Sequence, residues 1–111
     1  MRAEAYEEFE RSNKKITELH TAILKYLTIV IKSKAAAYTR LYVNSQTGWL
    51  NYRNEHCQII ADESADAPTG PDQLFYLCIS ELNYRRITEL VELLINFRIE
   101  FGALKMEKLC S

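Results

Sequence analysis

The sequence predicts an all-α fold, an antiparallel bundle of about three long helices spanning residues 1–111 as a single domain. Three observations predict it. Both prolines and one of the three glycines fall between Pro68 and Pro71, so long stretches of chain carry no helix breaker. Apolar residues recur at alternating three- and four-residue steps on either side of that break. With 111 residues, 48% hydrophobic and 26% charged, the chain is long and apolar enough to bury a core and is not a disordered tail.

The first helix is expected from about Ala3 to Ile31. Tyr6, Phe9, Ile16, Ile23, Leu27 and Val30 form its stripe, with Asn13 and His20 completing the series. Glu4, Glu7, Glu8 and Glu10 crowd its start and Lys32 and Lys34 its end, the order that complements the helix dipole. The β-branched run Thr28–Ile31 resists helix locally, but a lone strand there has no hairpin partner.

The second helix is expected from Ala35 to about Ala61, with Tyr38, Leu41, Tyr42, Ser45, Trp49, Tyr52, His56 and Ile59 on one face. Gly48 lies inside this pattern at a cost of about 1 kcal/mol relative to Ala, for which a close helix beside Trp49 would be one reason. The third helix is expected from Asp72, a good N-cap, to about Met106. Its stripe is Phe75, Ile79, Leu82, Leu90, Leu93, Phe97, Phe101 and Leu104; Arg86 falls on that stripe, and a charge there needs a partner. Three amphipathic helices and two turns imply up-down-up packing, and the long apolar faces leave a dimer open.

Charge is uneven. Residues 1–61 sum to +3, residues 62–72 to −4 and residues 73–111 to zero. The segment 62–72, with Asp62, Glu63, Asp66 and Asp72 and no base, therefore reads as an acidic loop. The overall charge of −1 argues against general nucleic-acid binding. The apolar run Ile23–Ile31 contains Lys25 and falls far short of the roughly 20 residues that cross a bilayer. The first residues are acidic and amphipathic, unlike a secretory signal. Either the chain is cytoplasmic, with Met1 its native start, or Met1 stands where a signal peptide was removed.

No catalytic, cofactor-binding or metal-ligating set is expected. His20 and His56 are the only histidines and neither opens a metal-binding spacing. His56 adjoins Cys57, but consecutive helical residues diverge by about 100°, so they make no nucleophile–base pair. The chain reads as a non-enzyme.

Cys57 closes the second helix and Cys78 opens the third, with Cys110 left over near the C-terminus. In an oxidising compartment Cys57 and Cys78 could join the two helix ends; the alternative is three reduced thiols, two of them simply packed.

The segment Gln46-Thr-Gly-Trp49-Leu-Asn-Tyr52-Arg53-Asn-Glu-His-Cys57 resembles the core signature of the LprI-like lysozyme-inhibitor family: Gln, two residues, Trp, Leu, a spacer, an aromatic, Arg, three residues, Cys. The segment Cys78-Ile-Ser-Glu-Leu82-Asn-Tyr-Arg-Arg86-Ile-Thr-Glu-Leu90 is similar to the second signature, in which Cys is followed by Leu, a small polar residue, Arg and Leu. Ser12–His20 occupies the place of a third pattern, with Asn13 where the family has Asp, Thr17 where it has Asn and His20 where it has Tyr. The family's N-terminal cysteines are missing and Cys110 is extra. The resemblance implies a small exported helical domain, periplasmic or secreted, with a Cys57–Cys78 disulfide, and a protein partner that is a lysozyme-type glycoside hydrolase.

Arg53 follows Trp49 by four residues, which puts the guanidinium within reach of the indole. With no Asp at position 13, one of Arg53 and Arg86 is expected to use a backbone carbonyl or Gln46, and both are expected near the disulfide-joined helix ends. Gln46, Trp49, Tyr52, Arg53, Leu82 and Arg86 are thus expected to hold the fold together. Partner contact is expected from Asp62, Glu63, Asp66 and Asp72, which would steer toward a cationic enzyme; a basic residue entering the cleft between two catalytic carboxylates is the other route. Two further readings stand beside inhibition: a helical interaction module, with residues 11–53 forming a basic arm of eight Lys/Arg against Glu18 alone, and immunity against a rival's cell-wall hydrolase.

Overall fold

The computed structural model describes residues 2–30, 34–64, 66 and 70–97. They form three helices, α1 (Arg2–Val30), α2 (Ala35–Glu63) and α3 (Pro71–Phe97), packed as the antiparallel three-helix bundle that the periodicity predicts. The expected third-helix positions beyond Phe97, including Phe101, Leu104 and Met106, lie outside the described residues, as does Cys110.

Pairings along the bundle give its register. Tyr6 meets Tyr76, Asn13 meets Asn83 and Tyr26 meets Phe97, so α1 and α3 run parallel with an offset of about 70 residues. Between them α2 runs the other way, Tyr42 reaching His20 and Arg53 reaching Asn13.

α1 runs through its β-branched end, where the Thr28 hydroxyl donates to the Leu24 carbonyl at 2.9 Å. Its buried positions are Ala5, Ser12, Ile16, Ile23 and Leu27, a 7-4-7-4 spacing. Tyr6 is exposed, contrary to expectation, because Ala5 takes the inward position one residue earlier. The dipole argument holds only at the start: Glu4 is in the first turn, but no base is in the last. Lys34 instead precedes α2, its ammonium over the Tyr38 ring at 5.9 Å.

α2 departs most from expectation. Its inward face is Tyr42, Gln46, Arg53, Cys57 and Ala61, whereas Leu41, Tyr52 and Ile59, expected inside, are exposed. The helix is rotated from its apolar stripe because the polar Gln46 and Arg53 find buried partners on the other two helices. Gly48 has no close neighbour either: an added Cβ would meet nothing within 4 Å, so no helix approach explains it.

The acidic segment is shorter than expected as a loop. Asp62 and Glu63 are in the last turn of α2 and Asp72 is in the first turn of α3. Asp72 is not the N-cap. Pro71 opens the helix, a position that needs no N–H and suits proline's fixed φ, and the carbonyl of Gly70, at φ 82°, accepts from the Leu74 amide at 3.3 Å.

The core has two apolar parts. Ile16, Ile23, Leu27, Tyr42 and Leu90 fill the part near the α1–α2 connection. Cys57, Ile79 and Leu82, with Phe9 and Phe75, fill the part near the α2–α3 connection. What separates them is polar.

Candidate functional site

Two places carry the residues that the sequence singles out: a buried polar seam across the middle of the bundle, and the exposed end where α2 turns into α3.

Arg53 lies at the centre of the seam, only 8% exposed. Its Nη1 donates to Asn83 Oδ1 at 3.0 Å and to Asn13 Oδ1 at 3.2 Å; Nε and Nη2 both donate to Asn54 Oδ1, at 2.9 and 2.8 Å. Asn83, fully buried, turns its amide N–H groups to Ser12 Oγ at 2.9 Å and Asn13 Oδ1 at 3.0 Å. Ser12 in turn donates to the Phe9 carbonyl at 3.0 Å. Each of these acceptors is a neutral amide oxygen. Burial accordingly pulls the Arg53 pKa below the ordinary guanidinium value.

Arg86 uses Gln46, as expected of one arginine. Its Nε and Nη2 donate to Gln46 Oε1 at 3.1 and 3.0 Å, Nη2 reaches Ser45 Oγ at 3.3 Å, and Nη1 pairs with Glu89 at 3.0 Å. Trp49 lies between the two cations, its ring centroid 5.2 Å from the Arg53 Cζ and 5.7 Å from that of Arg86. The spacing argument for Trp49 and Arg53 holds, and α3 adds a second cation that spacing could not supply. Arg53 is one turn from the disulfide, as expected. Arg86 is two turns from it, level with Gln46, so it belongs to the middle of the bundle and not to the joined ends.

Farther along, His20 Nδ1 and the Tyr42 hydroxyl are 2.8 Å apart, where the family pattern has Tyr in place of His20. Burial raises the Tyr42 pKa, with the Arg86 charge pulling it back. Among the described residues no buried side-chain N or O lacks a hydrogen-bond partner. A seam so fully satisfied holds three helices in register.

Asn83, Asn54 and Ser12 escaped the sequence reading. The signal for Asn83 and Ser12 was phase: Ile79, Asn83, Arg86 and Leu90 share the inward face of α3, and Ser12 stands between Ala5 and Ile16 on that of α1. Tyr52 has the opposite fate. Although it is a signature position, its ring is exposed and stacks on His56 at 5.3 Å. Leu82 is buried beside Ile79 and Cys57, as a fold-holding residue should be.

At the other place Cys57 and Cys78 form a disulfide, with Cα atoms 5.6 Å apart across a sequence separation of 21. Asp62, Glu63, Asp66 and Asp72 are all exposed. Asp62 and Asp72 line one depression of about 190 Å³ between the end of α2 and the start of α3, where Gln58 Nε2 donates to Asp62 Oδ1 at 2.8 Å. Glu4, Glu7 and Glu10 of α1 are also exposed at this end, brought there by the contacts of Tyr6 and Phe9 with Tyr76. Arg11 and Arg85 pair with Glu8 and Glu81, while Lys14 and Lys15, level with Arg85, lie farther from this end. The end is strongly acidic.

Among the described residues no group of three or more His, Cys, Asp or Glu could hold a metal ion, and no helix is long and apolar enough to cross a membrane. Neither a curated protein nor a solved structure matches the chain significantly. The profile of the family described as Lysozyme inhibitor LprI matches residues 1–90, which takes in all of α1 and α2, the disulfide and α3 through Leu90. The polar seam, the disulfide and most of the helical core all lie within that match, and the chain belongs to the LprI lysozyme-inhibitor family.

Proposed function

We propose that this protein is an exported inhibitor of a lysozyme-type peptidoglycan hydrolase, and that it meets the enzyme with its acidic end. Family membership over residues 1–90 is the observation that carries the reading. The placement of charge supports the direction of approach. Asp62, Glu63, Asp66 and Asp72 share one end of the rod with Glu4, Glu7 and Glu10, and such a field raises the encounter rate with a cationic partner. The other route, a basic residue entering the cleft, draws no support from Arg53 and Arg86, which are engaged inside the bundle. A Cys57–Cys78 disulfide suits export, because such bonds persist in oxidising compartments.

The test is titration of the protein into a c-type lysozyme acting on peptidoglycan, at low and moderate salt. Inhibition that weakens with salt, and weakens further when Asp62, Glu63 and Asp66 become their amides together with Asp72→Asn, is the expected result. Inhibition indifferent to both would remove the acidic end from the mechanism, and no inhibition at all would remove the function.

A second reading, a self-associating helical module, is favoured by one observation. Leu77, Tyr84, Val91 and Ile95 are exposed along α3 at a spacing of 7-7-4. Light scattering across concentrations separates the two: a stable dimer without effect on lysozyme supports the module.

A further inference from the structure

Steering charge sets how fast two proteins meet, but not how long they stay together; residence depends on buried apolar contact at the centre of the interface. The acidic end carries a candidate for that contact. Beside the disulfide, α2 and α3 part to leave an open groove of about 270 Å³ whose walls include Ile60, Leu74, Leu77 and Cys78. Leu82, buried, also lines it. Leu77 is 44% exposed, Ile60 is 37% exposed, and Ile59 next to it on α2 is 62% exposed. Glu81 and Arg85, an ion pair, are both on the groove wall; Glu63 lies within a turn of Ile60, and Asp62 and Asp72 line the neighbouring depression. Apolar side chains exposed beside an acidic end have the layout of an interface core with a charged border.

We infer that this groove is the docking surface for the hydrolase, taking an apolar protrusion of the enzyme that is flanked by lysines or arginines. The inference rests on the inhibitor reading above and adds the residues that hold the partner. Charge complementarity selects the occupant: a second copy would bring its own acidic end against this one, a like-charge juxtaposition that disfavours association, whereas a cationic enzyme neutralises the carboxylates around the groove. The disulfide has a role here as well. With Cys57 on one helix and Cys78 on the other, it ties the two walls together and fixes the width of the groove.

The experiment measures the Kd of the full chain for a c-type lysozyme by calorimetry, comparing the wild type with Leu77→Ser, Ile60→Ser and Leu41→Ser. All three residues are exposed, Leu41 the most distant from the groove at 61% exposure, so the variants keep the wild-type fold, which circular dichroism checks. Leu77→Ser and Ile60→Ser are expected to raise Kd by about tenfold or more, with Leu41→Ser unchanged and the salt dependence of binding retained in all. Equal Kd values for the wild type and both groove variants would overturn the groove and leave the inhibitor reading standing. No binding by the wild type would overturn both. A wild-type dimer that Leu77→Ser dissociates would assign the groove to a second copy and overturn the proposal.

Discussion

In the middle of the bundle Arg53, Asn83, Asn13 and Ser12 lie together with their hydrogen-bonding groups turned on one another, while at the disulfide-bonded end Ile59, Ile60 and Leu77 face solvent among carboxylates. The first region has spent its chemistry on holding helices; the second presents exposed apolar and charged side chains. The difference separates two meanings of a sequence signature. Gln46, Trp49, Arg53 and Arg86, by which the family is recognised, explain why three helices stack in one register. The hydrogen bonds of Arg53 to Asn13 and Asn83, that of Arg86 to Gln46 and the contact of Arg86 with the Trp49 ring run between the helices. The apolar surface proposed for partner contact lies one to three turns away and draws on Ile60, Leu74 and Leu77, outside the signature, beside the signature residues Cys78 and Leu82.

Four substitutions break or sharpen that contrast. The largest effect is expected from joint Cys57→Ser and Cys78→Ser. Losing a link across this separation lowers stability by about 3 kcal/mol in the chain-entropy model, seen as a fall in denaturation midpoint followed by Trp49 fluorescence, and it loosens the groove walls as well. Next comes Asn83→Ala, which cuts the bonds to Ser12, Asn13 and Arg53 together and leaves the buried guanidinium one acceptor fewer; a loss of about 2 kcal/mol is expected. Inhibition by the folded fraction should not change, because Asn83 is fully buried and does not line the groove.

Asn13→Asp should go the other way. A carboxylate at that point would face Arg53 Nη1, now 3.2 Å from the amide oxygen, and would convert a neutral bond into a charge-assisted one, a gain of about 1 kcal/mol at neutral pH. The sign follows from linkage. The cation would depress the new carboxyl's pKa in the folded state, so the gain is present above the unfolded value of about 4 and disappears as pH falls through the folded value. Urea denaturation of both proteins at pH 7 and at pH 3 reads it directly. The smallest effect is Gly48→Ala, an exposed mid-helix glycine with open space around its missing Cβ; stability should rise by about 0.5–1 kcal/mol.

Much of the architecture was legible in the sequence. Apolar periodicity gave three helices, the prolines marked the turn between α2 and α3, the α3 stripe of Ile79, Leu82 and Leu90 is the buried one, and family resemblance paired Cys57 with Cys78. The face of α2 was not legible, and the reason is physical. Periodicity arguments put apolar residues inside, yet Arg53 and Gln46 are buried there because Asn83 and Asn13 on α3 and α1, and Arg86 on α3, supply their partners. Those partners are 30 to 40 residues away in sequence, beyond any local pattern. Once the polar side turns inward, Leu41, Tyr52 and Ile59 turn outward, and the apolar surface near the groove is partly a consequence of that rotation. The acidic segment was legible as charge but not as shape: Asp62 and Asp72 share a depression only because α2 runs on to Glu63 and Pro71 starts α3.

The separation of fold-holding seam from partner-binding end is tested most directly by one inhibition titration against a c-type lysozyme, run below the melting temperature of each protein. It compares Asn83→Ala with the variant in which Asp62, Glu63, Asp66 and Asp72 are all neutralised. The expected result is wild-type inhibition by the folded seam variant and a marked loss by the neutralised end. Undiminished inhibition by the neutralised variant, with inhibition lost in a folded Asn83→Ala protein, would contradict it.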